Sequence, residues 1–281
     1  DSACSLPPYS LSDDLVARLK DQAEKLAVAL NVRGLMNVQF AVQGDAIYVL
    51  EVNPRASRTV PCVAKATGVP VAKVAARMMA GETLAQLPPK PHNAGQMAVK
   101  EAVFPFDRFP GVDVLLGPEM RSTGEVMGLD ADFAHAFLKA QLAANVKLPS
   151  SGVVFLSVRD HDKARLPELG QQFIDAGFTL LATDGTCRTL LDAGIACAHV
   201  HKVHEGQPNA VDAMINGEIH LVVNTVEGQK AIDDSKSLRR TALTRKIPYH
   251  TTLASAFAVA QAIKASQTGA LTVASLQSYA A

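Results

Sequence analysis

Residues 152–194 read GVVFLSVRDHDKARLPELGQQFIDAGFTLLATDGTCRTLLDAG. Two short apolar runs, GVVFLSV and GFTLLAT, alternate in this stretch with two longer runs of helical pattern that end in Ala-Gly. Short apolar runs bounded by turn residues are typical of buried strands, and glycine suits the left-handed residue that ends many helices. This strand–helix–strand–helix order predicts an α/β fold, in which helices cover both faces of a parallel sheet.

The same alternation continues towards the carboxyl terminus. Apolar runs at 196–203 (ACAHVHKV) and 218–225 (EIHLVVNT) flank a helical run at 208–217 (PNAVDAMING). Pro208 fits the first position of that helix, where its missing N–H is not needed. The glycines predicted to end the three helices are Gly177, Gly194 and Gly217. We therefore expect a Rossmann-like parallel sheet in this half of the chain.

Polar residues follow the predicted strands at the edge where ligands of such sheets collect. Thr183 and Thr186 of the sequence TDGT supply hydroxyls, and Gly185 lets backbone amides approach a ligand at a helix start. The full set expected at this edge, with two lysines that add positive charge, is Ser157, Lys163, Thr183, Thr186, Lys202, Asn224 and Thr225. The pattern predicts a phosphate-binding pocket, and ordinary turn chemistry around TDGT is the alternative.

The first half of the chain opens with a helical pattern. Residues 10–30, SLSDDLVARLKDQAEKLAVAL, carry apolar side chains at spacings of three and four, with charged side chains opposite. Ser10 can cap the first turn, and Asp13 and Asp14 suit the positive end of the helix dipole. The sequence therefore predicts an amphipathic helix here.

The next stretch, LMNVQFAVQGDAIYVLEVN, contains two alternating runs around QGD and predicts a β-hairpin. With a turn at QGD, Gln39 lies opposite Val49 and diagonal to Glu51. Residues two apart share a face, so Gln39, Glu51 and Asn53 project together. The apolar face expected in the core consists of Val38, Phe40, Val42, Tyr48, Leu50 and Val52.

The polar face of this hairpin presents one carboxylate and two amide oxygens at neighbouring points. These are hard ligands that suit magnesium, which also keeps water and binds substrate phosphates. Arg55 and Arg58 follow in NPRASR and can contact the same phosphates as fixed cationic forks. The sequence predicts a metal-and-phosphate edge, and a solvated strand face with flanking arginines is the alternative.

Composition limits the classes of function. The 281 residues are enough for two domains, and 27 basic and 27 acidic side chains give no electrostatic reason to expect nucleic acid as a partner. No apolar run reaches membrane-spanning length, so we expect a soluble protein without a membrane partner. The start, DSACSLPPYS, lacks a signal-peptide pattern and an initiator methionine, so we expect a fragment. Four scattered cysteines suit a reducing cytoplasm.

The stretch EVNPRASRTVPCVAKATGVPVAKVAARMMAGETL (51–84) resembles the carboxy-terminal end of an ATP-grasp unit. More narrowly, it is similar to the second such unit in the large chain of carbamoyl-phosphate synthase. DSACSLPPYSLS, VKEAVFPFDRFPGVDVLLGPEMRSTGEVMG and KVHEGQPN match the same family, so the resemblance covers nearly the whole chain. It implies an ATP-grasp α+β part at 1–144, followed at 145–281 by a methylglyoxal-synthase-like regulatory domain with a Rossmann-like parallel sheet.

The resemblance implies phosphorylation of carbamate by ATP, within the synthesis of carbamoyl phosphate from ATP, bicarbonate and ammonia for arginine and pyrimidine biosynthesis. It assigns Mg²⁺ or Mn²⁺ to Gln39, Glu51 and Asn53, and phosphate contact to Arg55; Arg58 is added as a second catalytic arginine from its position in NPRASR. K⁺ is a further implied ion, and a glutaminase small chain is the implied source of ammonia. Because the family's large chain has two ATP-grasp halves, we expect this fragment to be inactive alone and to form no stable complex with the small chain.

The second half resembles regulatory domains that bind nucleoside monophosphates such as UMP or IMP. Val226 stands where the family often has a small hydroxyl residue, which leaves the identity of the effector open. The matching contacts are Lys163, Thr183, Thr186, Lys202 and Asn224. Ornithine activates some members of the family, and its matching contacts are Asp1, Glu101 and Thr251. An exposed strand residue and a frayed terminus are the alternative for the two carboxylates.

Three other functions are alternatives to this resemblance. Methylglyoxal synthase chemistry needs a Gly-Gly-Asp segment after the fourth strand, and the chain has NTVEGQK there, so we expect no catalysis in the second half. Two further interpretations concern the whole chain. It could be a stand-alone effector-binding module whose ATP-grasp part is only structural, or part of a different ATP-grasp ligase.

Overall fold

The computed structural model describes residues 2–87, 95–108, 113–116 and 119–279. The strands in these ranges are β1 (Cys4–Leu6), β2 (Asn37–Gln43), β3 (Ala46–Asn53), β4 (Met97–Val103), β5 (Gly124–Asp130), β6 (Gly152–Ser157), β7 (Phe178–Ala182), β8 (Ala198–His199), β9 (Leu221–Asn224) and β10 (Tyr249–His250). The α-helices are α1 (Asp13–Ala29), α2 (Val60–Thr67), α3 (Val71–Met79), α4 (Phe133–Ala143), α5 (Leu166–Asp175), α6 (Asp184–Asp192), α7 (Ala210–Ile215), α8 (Gln229–Asp234), α9 (Lys236–Arg245) and α10 (Leu253–Thr268). None of these helices combines the length and the apolar character that crossing a bilayer requires.

The predicted hairpin is confirmed, as β2 and β3 pair antiparallel in a two-stranded sheet. Gln43 pairs with Ala46, so the turn contains two residues, Gly44 and Asp45. Gly44 has a φ of +58°, which glycine adopts without strain. Arg18 of α1 donates a hydrogen bond to the Asp45 carbonyl at 2.8 Å, which ties the first helix to this turn.

The register of the hairpin differs from the prediction because β3 carries an extra residue, Leu50. Gln39 pairs with Glu51, and not with Val49 as predicted. The extra residue shifts by one position which residues of β3 before the bulge point to each face of the sheet. Tyr48 therefore lies on the same face as Gln39, and the predicted grouping of Tyr48 with the apolar face is wrong.

The prediction that the apolar side of the hairpin forms core is wrong in part, since Val38, Phe40 and Val52 are half-buried but the other three residues are exposed. Tyr48 is 51% exposed and Leu50 is 63% exposed. Val42 is exposed as well. A two-stranded sheet buries a face only when another layer packs on it, and in the described residues no further strand joins this sheet.

A second, three-stranded antiparallel sheet has the order β1-β4-β5. Helix α4 packs on β4 and β5 so closely that Gly128 of β5 has no space for a side chain. A Cβ at Gly128 would lie 1.9 Å from the Ala136 carbonyl oxygen and 2.6 Å from the Ala140 nitrogen. Lys100 of β4 and Glu125 of β5 form a mostly buried ion pair, with 3.1 Å between Nζ and Oε1.

The carboxy-terminal part is built on a five-stranded parallel sheet in the order β10-β9-β6-β7-β8. On one face, Leu156 and Val223 pack with Phe173 of α5 and with α10. On the other face, Phe155 and Val222 pack with α7 and α9. Helices cover both faces, which confirms the α/β prediction.

The apolar core of this sheet continues into the preceding part of the chain. Phe137 and Ala140 of α4 belong to the same buried cluster as Ala256 and Val259 of α10. The boundary proposed near residue 145 lies between α4 and β6, and the division into two domains stays a prediction.

Two predicted helix starts are wrong by two residues each. Ser12, and not Ser10, caps α1, since its Oγ accepts a hydrogen bond from the Leu15 N–H at 3.3 Å. Helix α7 begins after Asn209, whose side chain closes a capping box, so Pro208 lies before the cap and outside the helix. The three glycines predicted to end helices have positive φ, as expected: Gly177, Gly194 and Gly217.

The strand predicted from ACAHVHKV pairs with the sheet only at β8. Helices α8, α9 and α10 and the edge strand β10 were not predicted. Strand β10 extends the sheet beyond β9 and thereby brings Tyr249 beside the end of β9.

Candidate functional site

The polar face of the hairpin gathers four side chains. Gln39 lies directly opposite Glu51, and Asn37 lies directly opposite Asn53. Residues paired in this way share a face of the sheet. The Asn53 amide donates a hydrogen bond from Nδ2 to Glu51 Oε1 at 2.9 Å. The three predicted ligands are thus neighbours, and Asn37 was missed although it precedes Gln39 by two positions.

These side chains fit a magnesium-type ion by their chemistry. The set offers one carboxylate and several amide oxygens, which are the hard ligands that such ions prefer. The hydrogen bond from Asn53 Nδ2 to Glu51 turns the Asn53 carbonyl oxygen away from Glu51 and leaves it available to a cation. In the described ranges no group of three or more His, Cys, Asp or Glu side chains could hold a metal, and this amide-rich set is of another kind.

The two arginines after the hairpin have different surroundings. Arg55 follows Asn53 in a tight turn, with its N–H 2.9 Å from the Asn53 carbonyl, and its exposed guanidinium contacts the Ala56 carbonyl at 3.3 Å. Arg58 instead donates to Ser122, at 3.1 Å to the carbonyl and 2.6 Å to Oγ, and contacts Met120. The backbone of Arg55 thus adjoins Asn53, whereas the side chain of Arg58 is turned towards the segment before β5.

The second candidate site lies at the carboxyl edge of the parallel sheet, as predicted. Ser157 and Asn224 end adjacent strands and are paired in register. Thr183 follows β7 and precedes the first turn of α6, and its Oγ1 lies 3.4 Å from Ser157 Oγ and 3.5 Å from Thr186 Oγ1. Thr183, Thr186, Asn224 and Thr225 are all buried. The structure therefore brings these predicted residues together at one edge.

Two hydroxyls of this set hold the loop after β6. Thr186 Oγ1 accepts a hydrogen bond from the Val158 N–H at 3.0 Å. Thr225 Oγ1 accepts one from the Arg159 N–H, also at 3.0 Å. Thr186 keeps its hydroxyl hydrogen to donate to an anion, whereas the Thr225 hydroxyl is also hydrogen-bonded to the Asp162 carboxylate and serves to hold the loop.

Both predicted lysines lie at the rim of this pocket. The Lys163 ammonium sits above the first turn of α6, where a Cβ on Gly185 would be 3.0 Å from its Nζ. It pairs with Asp160 at 2.7 Å. This contact lowers the pKa of Asp160, and the charge of Lys202 acts in the same direction. Backbone amides at a helix start together with two cations make an anion-binding arrangement.

The predicted ornithine contacts are only partly visible. Asp1 lies outside the described residues. Glu101 is half-buried on β4 and accepts a hydrogen bond from Gln141 Nε2 at 2.9 Å, while burial raises the pKa of its carboxyl. Thr251 is exposed just before α10. No hydrogen bond in the described part of the chain joins Glu101 to Thr251, and ornithine binding stays a prediction.

His250, next to Thr251, gives a pH dependence that can be measured. Its Nδ1 lies 2.8 Å from Ser255 Oγ, its buried Nε2 has no hydrogen-bond partner among the described residues, and burial lowers its pKa to about 4. The unfolded chain would protonate near the ordinary value of about 6.5. The free energy of unfolding should therefore fall by about 3 kcal/mol as pH drops from 6.5 to 4.

Urea unfolding at several pH values, compared with a His250→Gln variant, measures this effect. Glutamine does not titrate, so the difference between the two proteins isolates the contribution of His250. An equal loss of stability in both proteins across this range would contradict the assignment of a neutral buried histidine.

Two family models match the chain. The carbamoyl-phosphate synthase L chain, ATP binding domain, matches residues 1–87, which include the hairpin and its polar face. The MGS-like domain matches residues 165–251, which include most of the anion pocket. Both matches agree with the resemblance described above.

Close relatives align with nearly the whole chain. The carbamoyl phosphate synthase large chain of Mesorhizobium japonicum is 58% identical and aligns with 99% of this chain and 24% of its own length. That of Myxococcus xanthus is 54% identical, over 99% of this chain and 26% of its own length. A protein of Aquifex aeolicus, the large chain's C-terminal section, is 48% identical over 94% of this chain and 52% of its own length. The chain thus spans about a quarter of the full-length relatives.

A solved methylglyoxal synthase from Elizabethkingia anophelis NUHP1 covers 40% of this chain and 79% of its own, at 20% identity and a TM-score of 0.35, too low to bear on the assignment. The family models and the close relatives agree without it. Because the similarity to those relatives extends over 94% to 99% of its length, the chain belongs to the carbamoyl phosphate synthase large chain family.

Proposed function

We propose that this chain is part of a large chain that makes carbamoyl phosphate from ATP, bicarbonate and ammonia. Residues 1–144 carry the metal-and-phosphate edge of the site that phosphorylates carbamate, and residues 145–281 form the regulatory domain. The pairing of Gln39 with Glu51, beside Asn53 and Arg55, supports this role most directly. Synthesis by the full-length chain after replacement of Glu51 tests it.

The residues of the hairpin would act by position and charge. Phosphoryl transfer depends on holding the phosphates in line and neutralising their charge, with little need for a protein nucleophile. Gln39, Glu51 and Asn53 would direct their oxygens to Mg²⁺ or Mn²⁺, and Arg55 would hold a fixed positive charge beside them. A divalent ion bound there would supply charge neutralisation on the phosphate oxygens. K⁺ has no assigned residues.

The assignment includes several finer points. The isolated chain is expected to be inactive, because it spans 24% of the length of a relative. The full protein would act in the cytoplasm in arginine and pyrimidine biosynthesis and receive ammonia from a glutaminase small chain. Ornithine would bind near Glu101 and Thr251.

The anion pocket would bind a nucleoside monophosphate such as UMP or IMP. Thr183, Thr186 and the α6 amides would surround the phosphate, with Lys163 and Lys202 as counter-charges. This arrangement also fits a stand-alone effector-binding module. The length of the native reading frame distinguishes that alternative, since a module would have no ATP-grasp partner sequence before residue 1.

Lys202→Ala should weaken binding of the monophosphate about ten- to a hundredfold, because a charge-assisted hydrogen bond contributes roughly 1.5–3 kcal/mol. Isothermal titration calorimetry on this chain with UMP, IMP and the matching nucleosides measures the effect. The nucleosides should lose affinity to a comparable degree, since they lack the phosphate.

Lys264→Ala on the exposed side of α10 is the matched control, because it removes one positive charge away from the pocket. It should leave the affinity unchanged. Equal binding of nucleosides and monophosphates, or no effect of Lys202→Ala, would show that the pocket does not recognise phosphate.

A further inference from the structure

Asn224 of the anion pocket is held from behind by a side chain that the sequence did not indicate. Its Nδ2 donates a hydrogen bond to the Tyr249 hydroxyl at 2.6 Å. Asn224 is the last residue of β9 and Tyr249 is the first residue of the neighbouring parallel strand β10, so the contact joins two adjacent strands. An Asn amide held in this way has a fixed orientation, and its second N–H and its carbonyl oxygen are left for a ligand.

Tyr249 in turn contacts the side chain of Arg239 of α9, which is 2% exposed. Its guanidinium donates to Ile232 O at 3.0 Å and Ser235 Oγ at 2.6 Å. It also forms a two-point pair with Asp113, at 2.7 Å from Nε to Oδ1 and 2.6 Å from Nη2 to Oδ2. A guanidinium whose N–H groups are hydrogen-bonded on several sides has very little freedom to move.

The pKa shifts of Tyr249 and Asp113 agree with one connected set of side chains. Burial raises the pKa of Tyr249 to about 12, although the Asn224 amide and the Arg239 charge act to lower it. The phenol therefore stays neutral and accepts from Asn224. Arg239 lowers the pKa of Asp113, so that carboxyl stays ionised.

Asp113 belongs to the part of the chain before β5, outside the parallel sheet. Its Oδ1 also accepts from the Leu115 N–H at 3.1 Å, so the position of the carboxylate fixes the segment 113–116. Helix α9 packs on the turn at Phe106–Arg108 as well, which brings the same two parts of the chain together. The chain of contacts thus runs from the anion pocket to the preceding half.

We propose that Tyr249 and Arg239 are positioning residues that orient the Asn224 amide towards a bound nucleotide and couple it to Asp113, so that occupation of the pocket steadies segment 113–116. This rests on the proposed nucleotide binding. The coupling is reciprocal, so a change at Asp113 alters affinity in the pocket.

The first test is binding. Tyr249→Phe removes only the hydroxyl and should weaken UMP or IMP about three- to tenfold, the range of one neutral hydrogen bond. In an Asn224→Ala background it should cause no further loss, because the residue it positions is absent. Asp113→Asn, which keeps the shape, should weaken the same ligand about two- to fivefold. Tyr279→Phe is the control, since its hydroxyl contacts the Leu129 carbonyl far from the pocket.

The second test separates coupling from a merely structural role. Saturating nucleotide should slow hydrogen exchange of the Leu115 amide in the wild-type chain, and Tyr249→Phe at saturation should abolish that slowing. Binding without any change at Leu115, or an unchanged response in Tyr249→Phe, would refute the coupling while the proposed function stands. If the wild-type chain binds none of the monophosphates, the proposed function is refuted first and the coupling with it.

Discussion

Replacement of Glu51 by alanine in the full-length large chain is expected to lower carbamoyl phosphate synthesis by about 10²- to 10³-fold, the loss typical of one group that stabilises developing charge. Glu51 is the carboxylate among the four side chains of the polar hairpin face, between Gln39 and Asn53. Without it the site loses its one negative ligand. The measurement is ATP-dependent synthesis at saturating bicarbonate and ammonia.

The hairpin itself offers a matched control for this experiment. Asp45→Ala removes a carboxylate from the turn of the same hairpin, away from the polar face, and should leave synthesis unchanged. Both variants should fold, because Glu51 and Asp45 are exposed. Near-normal synthesis by Glu51→Ala, or equal losses in the two variants, would contradict the metal-and-phosphate assignment.

Gly128→Ala should lower the free energy of unfolding by about 3 kcal/mol or prevent folding, at the upper end of what overpacking does. Its new Cβ would lie 1.9 Å from the backbone oxygen of Ala136 and 2.6 Å from the Ala140 nitrogen. These are main-chain atoms of α4, so the helix as a whole would have to move away from β5.

Gly124→Ala in the same strand is the control, because a Cβ there meets no atom within 4 Å. Its urea unfolding midpoint should stay close to that of the wild-type chain. Similar midpoints for the two alanine variants would show that α4 does not pack on β5 as the structure has it.

The sequence predicted the parallel sheet well because its strands and helices are short and bounded by glycine. The positive φ that ends helices is found at Gly177, Gly194 and Gly217. The glycines in the sequence therefore marked the helix ends correctly. The same rules could not find β10, since Tyr249 and His250 form only two residues of strand and pair with β9 at the edge of the sheet. Short edge strands depend on tertiary contacts that periodicity does not contain.

The sequence predicted most of the side chains of the candidate site on the hairpin, but it did not predict their cross-strand pairing. Gln39, Glu51 and Asn53 share a face as expected, but the bulge at Leu50 changed the cross-strand partners and moved Tyr48. The alternating pattern gives no sign of this bulge, because Leu50 and the residue before it are both apolar. Asn37 could have been found from the corrected register, which places it opposite Asn53.

The anion pocket was predicted more completely. The carboxyl ends of parallel strands meet at one edge of a sheet, so Ser157, Thr183 and Asn224 could be grouped from the sequence alone. Arg239 could not be found in this way. Its partner Asp113 is 126 positions away, and an arginine in the polar run KSLRRTALTR gives no sign that it is buried.

The pair of Arg239 and Asp113 also restricts how such a chain can change during evolution. Loss of the carboxylate alone would leave a guanidinium in the interior without its counter-ion, and loss of the guanidinium alone would leave an acid facing an emptied space. Either single substitution gives a less stable protein, whereas simultaneous replacement of both residues by apolar ones need not lower the stability. The two positions should therefore be inherited together, although one lies in each half of the chain.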